Sequence, residues 1–240
     1  MKPLGSDSRL PRANEVQPSQ EIYRDRFDAG RQLAKGLSKY RRRKTLFVLA
    51  ISSQGVEVAI SVAQTLHAPV DLVISSLLPI PAQPQASFGA VVEDTVVVDD
   101  GLVRLWSLSS SEIAHIVADA RHGATDRMLR LRGSRPLPDL KGKTVIITDD
   151  GLAIGFPILA AVEWTLKQKP RGVVAAIPVA PRHEIDRLAQ LVSEVVCPIQ
   201  RDTWNLFVAA FYRVWTEPSD DEVASLLRQA QASPSTKELR

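Results

Sequence analysis

The sequence predicts an α/β fold, a doubly wound and mostly parallel sheet carrying a small hood, or flap, made of a hairpin and a long helix. Two observations predict it. First, β-rich runs alternate with helical patterns of roughly 10–15 residues, which is the spacing of crossovers between parallel strands. Second, the apolar and β-branched run Thr144–Thr148 ends in two adjacent acids, as a buried strand does where its carboxyl end faces a ligand.

The first elements form one crossover unit. Apolar spacing predicts a helix over Phe27–Tyr40, and β-rich composition predicts a strand over Thr45–Ser52. A helix over Val56–Leu66 and a strand over Val70–Ile74 follow. A strand, a helix and a second strand in this order are typical of neighbouring parallel strands joined by a right-handed connection.

The middle of the chain interrupts this alternation. Leu77–Ser87 contains three prolines and is predicted to lack regular structure, because proline donates no backbone hydrogen bond. Ala90–Asp99 is predicted to be a hairpin. A capping box at Ser109–Glu112 starts a long basic helix that reaches about Leu131. Residues 77–136 would together form the hood over the carboxyl ends of the parallel strands.

The rest of the chain returns to alternating elements. After the central strand we predict a helix with apolar residues from Ile158 to Leu166, a strand over Gly172–Val179, a helix over Arg182–Leu191, a strand over Glu194–Ile199 and a last helix from the capping box Ser219–Glu222. Residues 21–230 would form one domain. The flanking segments lack an apolar period, so we expect a disordered tail over 1–20 and a flexible one over 231–240.

Composition excludes several classes of protein. Hydrophobic residues make up 45% and charged residues 24% of the 240, as in ordinary globular domains. The longest apolar run, around Leu46–Ile51, is far shorter than a membrane span of roughly 20 residues. No secretory signal pattern is visible, which favours a cytoplasmic location. The single cysteine, Cys197, cannot form an internal disulfide and is expected to be a core thiol.

Three groups of side chains permit more than one interpretation. The basic run Arg41–Lys44 could contact phosphate or nucleic acid, or be a solvated helix end. The cluster Arg127–Arg135, like Arg41–Lys44, could contact nucleic acid or an acidic protein. Aromatic residues near the C-terminus could form core or dimer contacts, or a platform for stacking a base: Trp204, Phe207, Phe211, Tyr212 and Trp215. The four histidines show no metal-ligand spacing.

The central motif is T-V-I-I-T-D-D-G-L-A-I-G-F-P, residues 144–157. Asp149 and Asp150 end the strand, and a short loop with Gly151 and Gly155 leads into a helix. Unpaired N–H groups at a helix N-terminus bind phosphate, and carboxylates bind sugar hydroxyls. The motif therefore predicts a sugar-phosphate site, although a turn with a helix cap would also explain Asp-Asp-Gly.

This motif resembles the ribose-phosphate loop of the type I phosphoribosyltransferases, written apolar-apolar-D-D-x-x-x-T-G-x-[T/S]. Six further segments resemble a bacterial family with this domain: Tyr23–Ala34, Ser87–Val91, Arg130–Pro136, Leu140–Val145, Val173–Val179 and Thr216–Leu227. The resemblance covers about Glu21–Gln229. It implies transfer from 5-phosphoribosyl-1-diphosphate with magnesium, usually to a nitrogen of a base.

The resemblance implies roles for individual residues. Asp149 and Asp150 would be catalytic and would bind the ribose hydroxyls. The ribose-phosphate loop would comprise Gly151, Leu152, Ala153, Ile154, Gly155, Phe156 and Pro157. In this loop Ile154 replaces the family's threonine and supplies no hydroxyl. Pro157 replaces a threonine or serine and also removes an N–H group.

Two other family regions have lost their charges. The diphosphate loop would be Ser53, Gln54 and Gly55, following Ser52, and Gln54 stands where the family has arginine. The segment Ser76–Gln85 keeps prolines but has no charged residue, where relatives carry a basic pair and an acid. Fold-determining residues remain while polyanion-binding residues are replaced, a pattern typical of weakened catalysis or of a changed ligand.

Two hypotheses follow from the sequence. In one, the protein binds a ribose 5-phosphate or nucleotide-like ligand and has weakened or lost catalysis. In the other, it is an active phosphoribosyltransferase of altered specificity with an unknown nitrogenous acceptor. Magnesium would enter on the diphosphate, with no metal ligand from the protein. The expected partners are a small phosphorylated metabolite or nucleotide and a second copy of the chain, rather than nucleic acid or a membrane.

Overall fold

A computed structural model describes residues 22–204 and 206–232, so the predicted tail over 1–20 lies outside the described residues. In chain order the elements are α1 (Arg26–Gly36), β1 (Leu46–Ala50), α2 (Gly55–Leu66), β2 (Val70–Leu72), β3 (Ser76–Ile80), β4 (Gln83–Val92), β5 (Thr95–Val98), α3 (Asp100–Leu105), α4 (Ser110–Arg132), β6 (Thr144–Thr148), α5 (Phe156–Lys167), β7 (Gly172–Ala176), β8 (Val179–Pro181), α6 (Arg182–Ala189), β9 (Glu194–Val196), β10 (Ile199–Arg201) and α7 (Asp220–Ala232).

Within the described residues, a five-stranded sheet has the order β2-β1-β6-β7-β9, and every neighbouring pair is parallel. The chain winds from β1 outwards to β2 in one direction and from β6 through β7 to β9 in the other. This confirms the predicted doubly wound α/β fold. The reversal point lies between β1 and β6, where the carboxyl ends of such strands leave a crevice for ligands.

The central strands are apolar because they are covered on both faces. Leu46–Ala50 and Thr144–Thr148 are buried throughout, as a parallel sheet requires. Helix α1 packs on α2 at close range, since a Cβ atom on Gly30 would lie only 2.5 Å from the Val58 carbonyl oxygen. This close contact holds the N-terminal end of α1, including Arg26, next to the sheet.

The hood is a three-stranded antiparallel sheet, ordered β3-β4-β5, with α4 packed on it. It has its own small core, formed by Leu78, Ile80, Phe88 and Val91. The predicted hairpin is confirmed in β4 and β5. The hood contacts α5, where the Lys167 ammonium donates to the Thr95 hydroxyl at 2.8 Å.

The prediction that Leu77–Ser87 lacks regular structure was wrong, because β3 and β4 occupy most of it. Strand β3 lies at the edge of the hood sheet, where a proline costs no ladder hydrogen bond on the open side. The register shifts on both sides of Pro79, which is the irregularity that a proline introduces. Burial alternates along β3, so Leu78 and Ile80 reach the hood core.

Several observed ends of strands and helices differ from the predicted ones, and proline marks two of these differences. The predicted strand over Gly172–Val179 divides into β7 and β8 at Pro178, and that over Glu194–Ile199 divides into β9 and β10 at Pro198. Both predicted capping boxes are present, at Ser109 and Ser219. Helix α7 ends at Ala232, two residues inside the segment predicted as a flexible tail.

Cys197 is only partly buried, and its thiol donates to the Ile199 carbonyl at 3.2 Å. Burial raises the pKa of Cys197 to about 12, so the thiol is not a nucleophile at neutral pH. Among the described helices, none has both the length and the apolar character needed to cross a membrane.

Candidate functional site

Two loops meet at the carboxyl ends of β1 and β6, the adjacent strands at which the sheet reverses direction. The Ser52 hydroxyl donates to Asp149 Oδ1, and Ser52 Oγ accepts the Gly55 N–H at 2.9 Å. A Cβ atom on Gly55 would lie 2.6 Å from Asp149 Oδ1, so only glycine fits here. The structure therefore brings the predicted diphosphate loop into contact with the predicted acid pair.

Both acids of the pair are buried. Asp149 Oδ1 also accepts the backbone N–H of Asp150 at 2.9 Å, which fixes the turn after β6. Asp150 Oδ2 accepts Arg26 Nε at 2.8 Å, and the Arg26 side chain is only 2% exposed. Each carboxylate thus has a donor of its own, a hydroxyl for Asp149 and a guanidinium for Asp150.

Arg26 is a site residue that sequence reasoning missed. Its guanidinium also donates to the Thr216 carbonyl and lies 4.0 Å from the centre of the Trp215 ring. It comes from α1, 124 residues before its acid partner. The only sequence signal was its position within Tyr23–Ala34, one of the segments that resemble the family.

The pKa values of the two acids are both raised by burial, but different groups oppose the rise. Burial and then the charge of Asp150 raise the pKa of Asp149 to about 7, against the hydrogen bond from Ser52. Burial also raises the pKa of Asp150, but the Arg26 hydrogen bond and charge oppose that rise. Burial thus raises the pKa of both carboxyls, and the Arg26 cation favours the ionised form of Asp150.

The loop from Gly151 to Pro157 is tightly packed at its start. A Cβ atom on Gly151 would lie 2.6 Å from the Val208 side chain, and the Leu152 N–H donates to the Val179 carbonyl at 2.9 Å. Ala153 is exposed, whereas Ile154 packs partly against the main core. The first half of the predicted phosphate loop is thus anchored, and Ile154 has exchanged a hydroxyl for apolar packing.

The end of the loop forms the N-terminus of α5. Gly155 is the N-cap residue, Phe156 is buried, and Pro157 lies in the first turn, where proline is tolerated. The Gly155 N–H donates to Glu184 Oε1 at 3.0 Å. Glu184, at the start of α6, is a second residue that sequence reasoning missed, because no local pattern places α6 against α5.

The remaining predicted site residues lie near the contact between Ser52 and Asp149. Ser53 is buried, and its hydroxyl has no hydrogen-bond partner among the described residues. Gln54 is half-buried at the N-terminus of α2. The segment Ser76–Gln85 begins beside the end of β1, since the Ser75 N–H donates to the Ile51 carbonyl at 3.0 Å. From there it runs into the hood, with Leu77 exposed.

The basic cluster is largely engaged within the protein. Arg132 is buried and pairs with Asp71 through two contacts, of 2.8 and 2.6 Å. Arg127 and Arg130 both pair with Asp220 on α7. These ion pairs tie the hood helix to the main domain, which argues against the predicted contact of this cluster with nucleic acid or an acidic protein.

The aromatic cluster divides into two groups. Phe211 and Tyr212 are buried, and the Tyr212 and Trp215 ring centres lie 5.2 Å apart. Trp204 and Phe207 are 80% and 70% exposed. The Trp204 ring lies 4.2 Å from His183, the residue before Glu184. The buried group confirms the core interpretation, whereas the exposed pair remains open to a dimer or ligand contact.

A protein-held metal does not fit this site. Within residues 22–204 and 206–232, no cluster of three or more histidine, cysteine, aspartate or glutamate side chains could bind an ion. Asp150 already faces the Arg26 cation, and Asp149 Oδ1 accepts the Ser52 hydroxyl and the Asp150 N–H. The pair therefore supplies no complete set of metal ligands, and a magnesium ion would have to be held largely by the phosphates of a ligand.

Comparison with known proteins agrees with this architecture. A model of the phosphoribosyl transferase domain family matches residues 19–214. Proteins from two Mycobacterium tuberculosis strains, provisionally named phosphoribosyl transferases, are each 35% identical over 211 residues, which is 88% of this chain and 47% of the relative. The chain thus spans about half the length of these relatives. The crystal structure of TT1426 from Thermus thermophilus shares 30% identity and a TM-score of 0.71, covering 87% of this chain and 98% of that one.

Proposed function

Since this chain belongs to the phosphoribosyl transferase domain family, we propose that it binds a ribose 5-phosphate or nucleotide-like ligand. Transfer from 5-phosphoribosyl-1-diphosphate is weakened or lost. Asp149 and Asp150 take the ribose hydroxyls, the loop from Gly151 to Pro157 receives the phosphate end, and Ser53, Gln54 and Gly55 face the position of a diphosphate.

One observation carries this proposal. The acid pair and both loops are in contact at the point where the sheet reverses, whereas the groups that would balance a polyanion are missing or occupied. Gln54 stands in place of a cation, Pro157 has no N–H, and the Gly155 N–H is already bonded. Each lost charge-assisted hydrogen bond costs roughly 1.5–3 kcal/mol, so two or three would weaken phosphate binding about 10²–10⁶-fold.

The second candidate is an active phosphoribosyltransferase of altered specificity, acting on a nitrogenous acceptor. The raised pKa of Asp149 favours it, because a buried carboxyl with a pKa of about 7 can exchange a proton at neutral pH. Magnesium would then be carried by the diphosphate of the substrate. A homodimer through the exposed Trp204 and Phe207 is compatible with either function.

The two candidates are separated by titrating the protein with ribose 5-phosphate and with 5-phosphoribosyl-1-diphosphate and magnesium. Binding is followed by calorimetry, and diphosphate release is followed with a panel of purine and pyrimidine bases. We expect saturable binding and no release of diphosphate. Release above background would make the active transferase the correct function, and absence of binding to both sugars would contradict both candidates.

Asp149→Asn serves as the site variant in these titrations, because the amide oxygen can still accept from Ser52 while the proton-exchanging group is gone. Asp119→Asn on α4 is the matched control, since the Asp119 side chain is exposed and distant in sequence from both loops. Ligand binding that changes in the first variant and not in the second assigns the ligand to the acid pair.

A further inference from the structure

The N-terminus of α5 is covered by a carboxylate of the protein itself. Glu184 Oε1 accepts the Gly155 N–H at 3.0 Å, and a Cβ atom added to Gly155 would lie 2.0 Å from Glu184 Oε2. Glu184 is only 8% exposed. The absence of a side chain at Gly155 is therefore what makes room for the Glu184 carboxylate.

Glu184 has few hydrogen-bond donors and no permanent cation in contact with its buried carboxylate. Its Oε2 atom has no hydrogen-bond partner within the described residues. The nearest cationic group in contact is His183, whose Nε2 lies 3.7 Å from Oε1 and which carries charge only when protonated. A buried carboxylate is normally satisfied by several donors, so this one has spare acceptor capacity at the place where the loop would receive a phosphate.

A phosphate and a carboxylate would bind the N-terminus of α5 in the same way. Both are anions that accept hydrogen bonds from the N–H groups at a helix N-terminus and interact with the positive end of the helix dipole. They cannot share the Gly155 N–H, and like charges at hydrogen-bond distance repel strongly in a buried site. A ligand phosphate can therefore enter only where the Glu184 carboxylate withdraws.

We propose that Glu184 is a specificity-determining residue that competes with phosphate for the N-terminus of α5. It lowers the affinity of the site for phosphate monoesters. This inference deepens the proposed function and rests on it for the identity of the ribosyl ligand. It adds a third cause of weak phosphate binding to the changes at Ile154 and Pro157.

A purely structural role would have a different signature. If Glu184 served only as a cap for α5, its removal would lower stability and leave phosphate affinity unchanged. Glu184→Gln separates the two roles, because the amide oxygen still accepts from Gly155 while the charge is gone. Glu184→Ala removes both the charge and the acceptor. Asp186→Asn, exposed on the same helix, removes the same charge away from the loop.

The probes are inorganic phosphate and ribose 5-phosphate, titrated by calorimetry into the wild type and each variant. In parallel, the Gly155 amide is observed by NMR, and thermal unfolding is recorded. We expect Glu184→Gln to bind both probes about 10- to 100-fold more tightly than the wild type. Glu184→Ala should bind at least as tightly, and Asp186→Asn should match the wild type. The Gly155 amide resonance should shift in Glu184→Gln and on addition of phosphate.

The outcomes separate this inference from the proposed function. If Ile154→Thr with Pro157→Thr tightens ribose 5-phosphate while neither Glu184 variant does, the competition is wrong and the proposed function stands. If the Glu184 variants gain affinity for inorganic phosphate but no form binds ribose 5-phosphate, the competition is correct and the proposed ligand is wrong. Unchanged affinity for both probes, with reduced stability in Glu184→Ala, would make Glu184 a structural cap and overturn the inference.

Discussion

Arg26 and Asp150 form a buried ion pair, with Nε donating to Oδ2 at 2.8 Å, that joins the first helix to the end of the central strand. The Arg26 cation opposes the rise in the pKa of Asp150 that burial causes. The pair also explains why the segment around Tyr23–Ala34, far from the acids in sequence, belongs to the candidate site.

Replacing Arg26 by methionine should destabilise the fold. The substitution leaves the Asp150 carboxylate buried without its cation, which costs about 3–5 kcal/mol when a buried pair is broken. Urea unfolding measures the loss. The control is Arg24→Met, in the same segment but largely exposed, which should cost far less. Adding Asp150→Asn to Arg26→Met should recover part of the loss, and strictly additive losses would show that the two residues do not interact.

Asp149 should make stability fall as pH rises. Its pKa is raised from 3.8 to about 7 in the folded protein, so the folded state binds more protons than the unfolded state between these values. The stability contributed by the protonated form is complete below about pH 4 and is lost as pH rises through 7. Asp149→Asn removes this dependence. Between pH 4 and pH 8 the unfolding free energy should shift in favour of the variant by on the order of 2–4 kcal/mol.

Unfolding curves of Asp149→Asn, Asp119→Asn and the wild type at several pH values test this. Asp119 is exposed, so its variant should follow the wild type. If the Asp149→Asn profile runs parallel to the wild type across the range, Asp149 is ionised throughout and the assignment of the proton to it is wrong.

Restoring the hydroxyls and the N–H of the phosphate loop should restore phosphate affinity. Ile154→Thr with Pro157→Thr returns two hydroxyls and one backbone donor, which is worth about 2–5 kcal/mol of binding free energy before repacking costs. Those costs arise because Ile154 packs on the main core and Phe156 is buried. Calorimetry with ribose 5-phosphate measures the gain. Pro136→Thr, at an exposed proline that follows α4, is the control. Tight binding by the wild type with no gain in the variant would show that the loop is intact as it stands.

Returning a cation to the diphosphate loop should act on diphosphates specifically. Gln54→Arg places a charge at the start of α2, next to the loop that contacts Asp149, so affinity for 5-phosphoribosyl-1-diphosphate should rise more than that for ribose 5-phosphate. The gain should shrink with added salt because it comes from charge. Gln64→Arg adds the same charge at the exposed far end of α2. If both variants gain affinity equally, the gain comes from the overall charge of the protein and not from a charge in the loop.

Several features were predictable because they depend on neighbouring residues. The strand Thr144–Thr148 and its acidic end follow from a short apolar run, and the helix starts at Ser109 and Ser219 follow from side chains three residues apart. The strands of the hood could not be predicted in the same way. Proline within Leu77–Ser87 argued against a strand. The edge position of β3 makes Pro79 acceptable, and Pro84 of β4 lies outside the stretch that pairs with β5, which begins at Gly89.

The sequence by itself determined the alternation of strands and helices, the acid pair with its glycine loop, and the lack of charged residues at Gln54 and over Ser76–Gln85. These follow from periodicity and residue chemistry. Only the tertiary structure decided that Ser52 and Gly55 touch Asp149, that Arg26 pairs with Asp150, and that Glu184 covers Gly155. Those contacts join residues 29 to 124 positions apart. Their partners are selected by how helices and strands pack together, which no local pattern in the chain encodes.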